Sequence, residues 1–183
     1  MVTLSPGILL IADPFLKDPN FSRTVVLLCE YQEKGSFGFV INKLFDQRLN
    51  DLVPEVLIGN IPVYYGGPVQ MDTVHFIHRN PELISGGLEI LPGVFWGGKF
   101  DNVVTALNQG LLEPGKIKFF IGYSGWTEGQ LDGEVKDKSW ILSQTDARLV
   151  FEPEEQQIWP LSLKNLGSTF AMMANYPTDP SLN

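Results

Sequence analysis

The passage Gly122-Tyr-Ser-Gly-Trp-Thr-Glu-Gly-Gln-Leu-Asp-Gly-Glu134 constrains what this chain can fold into more than any other stretch. The apolar residues 117–123 lead into it and read as a buried strand. Glycines at 122, 125, 129 and 133 then allow a sharp turn. A helix is expected over residues 127–136, with Thr127 as N-cap and Gln130 at the third position of a capping box. A strand-turn-helix passage of this kind presents backbone N–H groups and side chains at a surface.

The remaining pattern is rich in short strands. Residues 8–12, 63–65, 74–78, 88–90, 94–96, 140–142 and 148–151 read as strands, and 24–30 with 37–42 as a hairpin. Helices are expected at 49–57, 101–108, 161–166 and 168–174. Strands that do not alternate regularly with helices argue for an α+β fold with a largely antiparallel, curled sheet. A length of 183 residues predicts a single domain, here residues 1–176, with a loose tail over 177–183.

Charge and cysteine content narrow the function classes. The formal net charge is −8, with six Lys/Arg against ten Asp/Glu in residues 1–91 and seven against eleven in residues 92–183. Nucleic-acid binding and anionic membrane surfaces both require clustered cations, and the basic residues here are scattered. The single cysteine, Cys29, excludes an intrachain disulfide and lies in an apolar run that predicts a buried thiol. The first apolar run lacks a preceding basic segment, and no run approaches about 20 residues. A cytoplasmic bacterial protein without a membrane span is expected.

Three catalytic motifs are approached and none is complete. Gly93-Val-Phe-Trp-Gly-Gly-Lys99 matches the front of a phosphate loop, but Phe100 stands where Ser or Thr must hold magnesium. Gly122-Tyr-Ser-Gly-Trp126 is close to a nucleophile elbow, yet the only histidines, His75 and His78, lie upstream. Those two are three apart on an expected strand, so they face opposite sides and cannot share a metal, and structural roles are expected for both. No metal or cofactor is expected. Gln130 and Glu134 are neighbours on the expected helix, either capping and solvated or lining a cleft with Trp126. Asp13, Arg23 and Asn42 adjoin strands, as members of a shared buried network or as partners for loop backbone.

Several segments in order resemble the AlgH/YqgE family of bacterial proteins. They are Gly7-Ile-Leu-Leu-Ile-Ala-Asp-Pro14, Asp18-Pro-Asn-Phe21, Arg23-Thr-Val-Val26, Gly35-Ser-Phe-Gly-Phe-Val-Ile-Asn42 and Tyr65-Gly-Gly-Pro-Val69. The Ile77-His78 pair, Gly122-Tyr-Ser-Gly-Trp126, Gly129-Gln-Leu131, Glu134, Trp140, Phe151 and the stretch 159–167 continue the match. Glu30-Tyr31 departs from the family's frequent Glu-His, and Ser124 stands where the family often has Ala. The resemblance implies an α+β fold with a bifurcated sheet curled into a pseudo-barrel with short flanking helices. It supplies no reaction, and some members carry a transcriptional-regulator label.

These readings lead to a non-enzymatic binding or regulatory module acting through a protein or small-molecule partner. The expected surface comprises Asp13, Pro14, Arg23, Asn42, Gly66, Gly67, Pro68, Ser124, Gly125, Trp126, Gln130 and Glu134. The alternatives are an enzyme with a carboxylate-based site near Glu134 and Asp13, and a regulator that binds DNA directly, which the acidic charge opposes.

Overall fold

The strand made by Ile117–Thr127 organises the molecule, because three different strands pair along its two edges. The computed structural model describes residues 1–179. In chain order the strands are β1 (Leu9–Ala12), β2 (Val25–Gln32), β3 (Gly35–Val40), β4 (Leu44–Arg48), β5 (Pro62–Tyr65), β6 (Val69–His78), β7 (Leu88–Leu91), β8 (Val94–Trp96), β9 (Ile117–Thr127) and β10 (Trp140–Ser143). The helices are α1 (Leu49–Leu52), α2 (Phe100–Asn108), α3 (Gln130–Lys136), α4 (Ala147–Phe151), α5 (Glu155–Lys164) and α6 (Ser168–Met173).

The described strands form one mostly antiparallel sheet in the order β10-β1-β2-β3-β9-β6-β8-β7, with β5 and β4 branching from β9. The sheet is not closed into a barrel. One edge of β9 carries β6, and the other is shared. Its first half pairs in parallel with β5 (Phe119 opposite Val63), and its last residues pair with β3 (Ser124 opposite Gly38). This sharing is the bifurcation that the resemblance implied.

The fork explains the glycines of two segments. At the branch, Gly66 N donates to Ile121 O at 2.9 Å, and Gly66 O accepts from Val40 N at 2.8 Å. A Cβ on Gly66 would stand 2.4 Å from Gly122 O, and one on Gly67 would stand 2.2 Å from the Tyr123 carbonyl. Gly122 takes φ +67°, and its own Cβ would meet Gly67 O at 2.4 Å. Two backbones cross here at a separation that excludes any side chain.

The sheet has an apolar cluster on each face. Leu9, Ile11, Leu27, Cys29, Phe39 and Phe120 pack under α4 and α5, while Leu10, Val26, Leu28 and Val40 pack with Trp126, Leu131 and Trp140 under α3. Both faces of β1 are therefore covered, as its unbroken apolar run requires. A third cluster joins Val63, Phe76 and Phe119 to α2. Lys118, which alternates with Phe119 along β9, is buried at 6 % exposure beside the first cluster, with Nζ 3.3 Å from Ile41 O and 4.6 Å from the Tyr64 ring centre. Burial lowers its pKa to about 8 against the pull of Glu155.

Several sequence expectations are corrected. The central strand does not stop at Tyr123 but runs to Thr127, because pairing with β3 holds it beyond the glycine kink. The helix begins at Gln130, after Gly129 at φ +67°. Residues 148–151, expected as a strand, belong to helix α4. The Asp146 side chain accepts from Leu149 N at 3.0 Å, which supplies the N-cap that settles a short apolar run as helix. Only 49–52 of the expected helix 49–57 is helical, and β4 was not anticipated because its residues are mostly exposed. The loose tail expected over 177–183 lies outside the described residues from 180 onward. Among the described residues no helix is long and apolar enough to cross a membrane.

Candidate functional site

Glu134 sits at the centre of a hydrogen-bond network between α3 and the sheet. Its Oε2 accepts from Trp126 Nε1 at 2.9 Å and from Trp140 Nε1 at 2.8 Å, and its Oε1 accepts from Gln130 Nε2 at 3.0 Å. Gln130 Oε1 in turn accepts from Thr127 N at 3.0 Å and Thr127 Oγ at 3.3 Å. Half of the expected capping box is therefore present, with the glutamine side chain capping the N–H of Thr127. Phe21 stacks near Trp126 at 6.4 Å and meets Trp140 edge-on at 5.5 Å. With three donors on its two oxygens, Glu134 fixes both indoles in place.

The other sequence-singled residues also have structural partners. Ser124 is fully buried, and its hydroxyl donates to Gly66 O at 3.0 Å, so it tightens the fork. Asp13 accepts from Phe15 N at 2.9 Å, closing the turn that contains Pro14. Asn42 accepts from Val25 N at 2.8 Å and donates to Arg23 O at 2.9 Å, which clamps the backbone of Arg23 at φ +53°. The Arg23 guanidinium lies 4.8 Å from the Trp159 ring centre and donates to Tyr176 O. The fork brings Gly66, Gly67 and Ser124 together, and the Glu134 network links Trp126 to Trp140, whose neighbour Ser139 accepts from Asp13 N at 3.0 Å. The expected segments form a chain of contacts along the sheet.

A concavity opens beside this chain. It has a volume of about 560 Å³ and is walled by Phe37, Trp96 and Tyr123, with Glu30, His75 and Val69 at its sides. Gly125 and Trp126 are the residues singled out from sequence that border it. Phe37 is the hub of the wall, 4.8 Å from Trp96 and 5.9 Å from Tyr123 between ring centres. His75 lies 5.9 Å from Tyr123 and 5.3 Å from Phe39.

Backbone irregularities on three strands shape this cleft. In β2 the pairing passes from Leu28 opposite Gly38 to Glu30 opposite Phe37, so Cys29 is an extra residue. The bulge turns Glu30 to the face that carries Phe37, which strict alternation would deny it. In β6 the six residues Val69–Val74 span what the three residues Ile121–Tyr123 span on β9. That slack separates Val69 from His75 and opens the wall between them. Gly122 supplies the matching kink in β9.

The two histidines differ, as their opposite faces predict. His78 is buried and satisfied, with Nε2 3.0 Å from Gly97 O and Nδ1 accepting from Asn80 N at 3.2 Å. His75 was also expected to be structural and satisfied, yet its Nε2 is buried without a hydrogen-bond partner among the described residues. Burial lowers the pKa of His75, so the ring is uncharged at neutral pH. Sequence reading missed Glu30, Phe37, His75, Trp96 and Tyr123 as site residues. The only signal was the aromatic content of 24–42 and 94–96, which reads equally as core.

Comparison with known proteins gives the family. The sequence model of the AlgH-like family matches residues 9–171. A UPF0301 protein of Chlorobium limicola is 40% identical over 180 residues, covering 98% of this chain and 96% of that one. A UPF0301 protein of Cytophaga hutchinsonii is 36% identical over 181 residues, covering 98% of this chain and all of the relative. The solution structure of the AlgH protein from Pseudomonas aeruginosa superimposes with a TM-score of 0.73 at 29% identity, over 97% of this chain and 98% of that one. A crystal structure from Corynebacterium diphtheriae superimposes with a TM-score of 0.79 at 18% identity, over 96% and 94% of the two chains, and shows the shared fold. The chain belongs to the AlgH-like family.

Proposed function

We propose that this protein is a non-enzymatic binding module that takes a small molecule in the aromatic cleft between β3, β6, β8 and β9. The observation that carries the reading is the cleft itself, about 560 Å³ in volume with the aromatic side chains of Phe37, Trp96 and Tyr123 in its walls. That volume lies inside the usual range for small-molecule sites, and a mostly apolar lining with a few polar groups is their usual composition. The unpartnered ring nitrogen of His75 and the bulges that border the cleft support the same reading.

An acid-base enzyme at Glu134 and Asp13 gains no support from their surroundings. Both carboxylates accept hydrogen bonds from the protein, and neither lines the cleft. The cleft lining also contains no Lys or Arg to neutralise phosphate, which supports a small molecule over nucleic acid.

Native mass spectrometry of the protein purified gently from its own bacterium tests the reading. The expected result is an added mass of small-molecule size that is lost in Gly125→Leu. A Cβ at that position stands 3.2 Å from the Tyr123 ring and 3.8 Å from the Val69 side chain, so a larger residue grows into the cleft. A bare chain, or an added mass retained equally by the variant, overturns the reading.

A further inference from the structure

We propose that the cleft selects a small organic cation with a flat apolar body, held by the Glu30 carboxylate and the aromatic faces of Phe37, Trp96 and Tyr123. The inference rests on the cleft being a ligand site and adds the charge and shape of what enters it.

Charge complementarity carries the argument. Glu30 is the only charged side chain in the lining, and no Lys or Arg accompanies it. Among the described residues its carboxylate has no hydrogen bond and no salt bridge, although it is only half-exposed. The bulge at Cys29 is what turns it to the cleft. The lone negative charge is felt next door, where it adds to burial in raising the pKa of the Cys29 thiol. A carboxylate left free of internal partners at the side of an aromatic pocket remains available to an incoming cation.

The aromatic walls act in the same direction. The faces of Trp, Tyr and Phe are negative and attract a cation placed within about 6 Å of the ring centre. The ring centres of Trp96 and Tyr123 lie 4.8 and 5.9 Å from that of Phe37, so a single bound group touches more than one of them. His75 is uncharged at neutral pH and contributes no opposing charge. The formal net charge of −8 adds a long-range field of the same sign. A flat body is favoured because planar faces stack on the walls with little loss of rotamer freedom.

The test uses three isosteric probes that differ in charge: benzamidinium, benzamide and benzoate. Each is titrated into the full chain and followed by tryptophan fluorescence, since Trp96 lines the cleft, with calorimetry as the second readout. Benzamidinium is expected to bind about tenfold more tightly than benzamide, and benzoate more weakly still. Glu30→Gln, which keeps the shape of the side chain, is expected to remove most of the benzamidinium preference. Trp96→Leu is expected to weaken benzamidinium and benzamide alike.

The outcomes separate the two levels of the argument. Equal binding of benzamidinium and benzamide, lost in Trp96→Leu, keeps the cleft as a ligand site and overturns the cationic class. A preference for benzoate overturns it too, as does a benzamidinium affinity unchanged in Glu30→Gln with an unaltered urea midpoint. Absence of binding by all three at millimolar concentration overturns the proposal, and the native mass spectrum then decides the cleft itself.

Discussion

Replacing Glu134 by alanine is expected to destabilise the fold far more than a half-buried helix residue ordinarily does. Trp126 is 6 % exposed and Trp140 is 3 % exposed, so neither indole N–H finds water once Oε2 is gone. An orphaned buried donor costs about 1–3 kcal/mol, which for two gives about 2–6 kcal/mol. Relaxation of α3 and partial solvent entry favour the lower half of that range, about 2–4 kcal/mol. Glu134→Gln is milder, at about 1–2 kcal/mol. One amide oxygen can still receive both indoles, but the amide nitrogen then faces the Gln130 Nε2 donor. Urea denaturation reads the difference. With a slope of about 1–3 kcal/mol per molar, the alanine variant shifts the midpoint by roughly one molar or more. The same substitution in a Trp126→Phe, Trp140→Phe background is expected to cost less than about 1 kcal/mol, because no indole donor remains to be orphaned. A cost below about 0.5 kcal/mol in the parent chain, or an equal cost in both backgrounds, refutes the view that this carboxylate holds the two indoles.

Two further perturbations follow from the core and the fork. The folded pKa of Lys118, about 8, lies below its ordinary 10.5, so the folded state releases the proton more readily. The contribution of this group to stability is then largest above pH 10.5 and falls as pH drops towards 8, by about 3 kcal/mol in all. Lys118→Met is expected to flatten that slope in urea titrations between pH 8 and 10.5, and an unchanged slope refutes the assignment. Gly66→Ala places a Cβ 2.4 Å from Gly122 O, where two backbones must separate. It is expected to abolish cooperative thermal unfolding or lower stability by more than about 4 kcal/mol, and a near-parental melting curve refutes the crossing.

The part of the structure that was legible in the sequence is the part governed by local rules. The apolar run of β9 announces a buried strand, and the glycines at 66, 67 and 122 announce turns, while the backbone crossing they permit is seen only in the structure. The Gln130–Glu134 pair was visible as neighbours on a helix face, though its partners were not, since Trp140 belongs to a later strand. The cleft was hidden for a different reason. Alternation along β2 assigns Glu30 to the face opposite Cys29, and only the bulge reverses that assignment. The opening between Val69 and His75 depends likewise on a length mismatch between β6 and β9, which appears in neither segment read alone. Helix α4 shows the same limit at short range, since five residues carry too little periodicity to separate helix from strand.

The pairing of β1 with β10 sets a timetable for synthesis. Leu9 finds its partner in Ser143, and Ala12 finds its partner in Trp140. The segments between them must be translated first, which at ordinary ribosomal speed takes on the order of ten seconds. During that interval the strand Leu9–Ala12, whose four residues are all buried in the finished protein, has one edge covered at most by β2. An apolar strand with an open edge is a template for pairing with other chains. Nascent chains of this protein are thus most vulnerable to aggregation before residue 143 leaves the ribosome, and closing the β1–β10 ladder is the late, long-range step that ends the exposure.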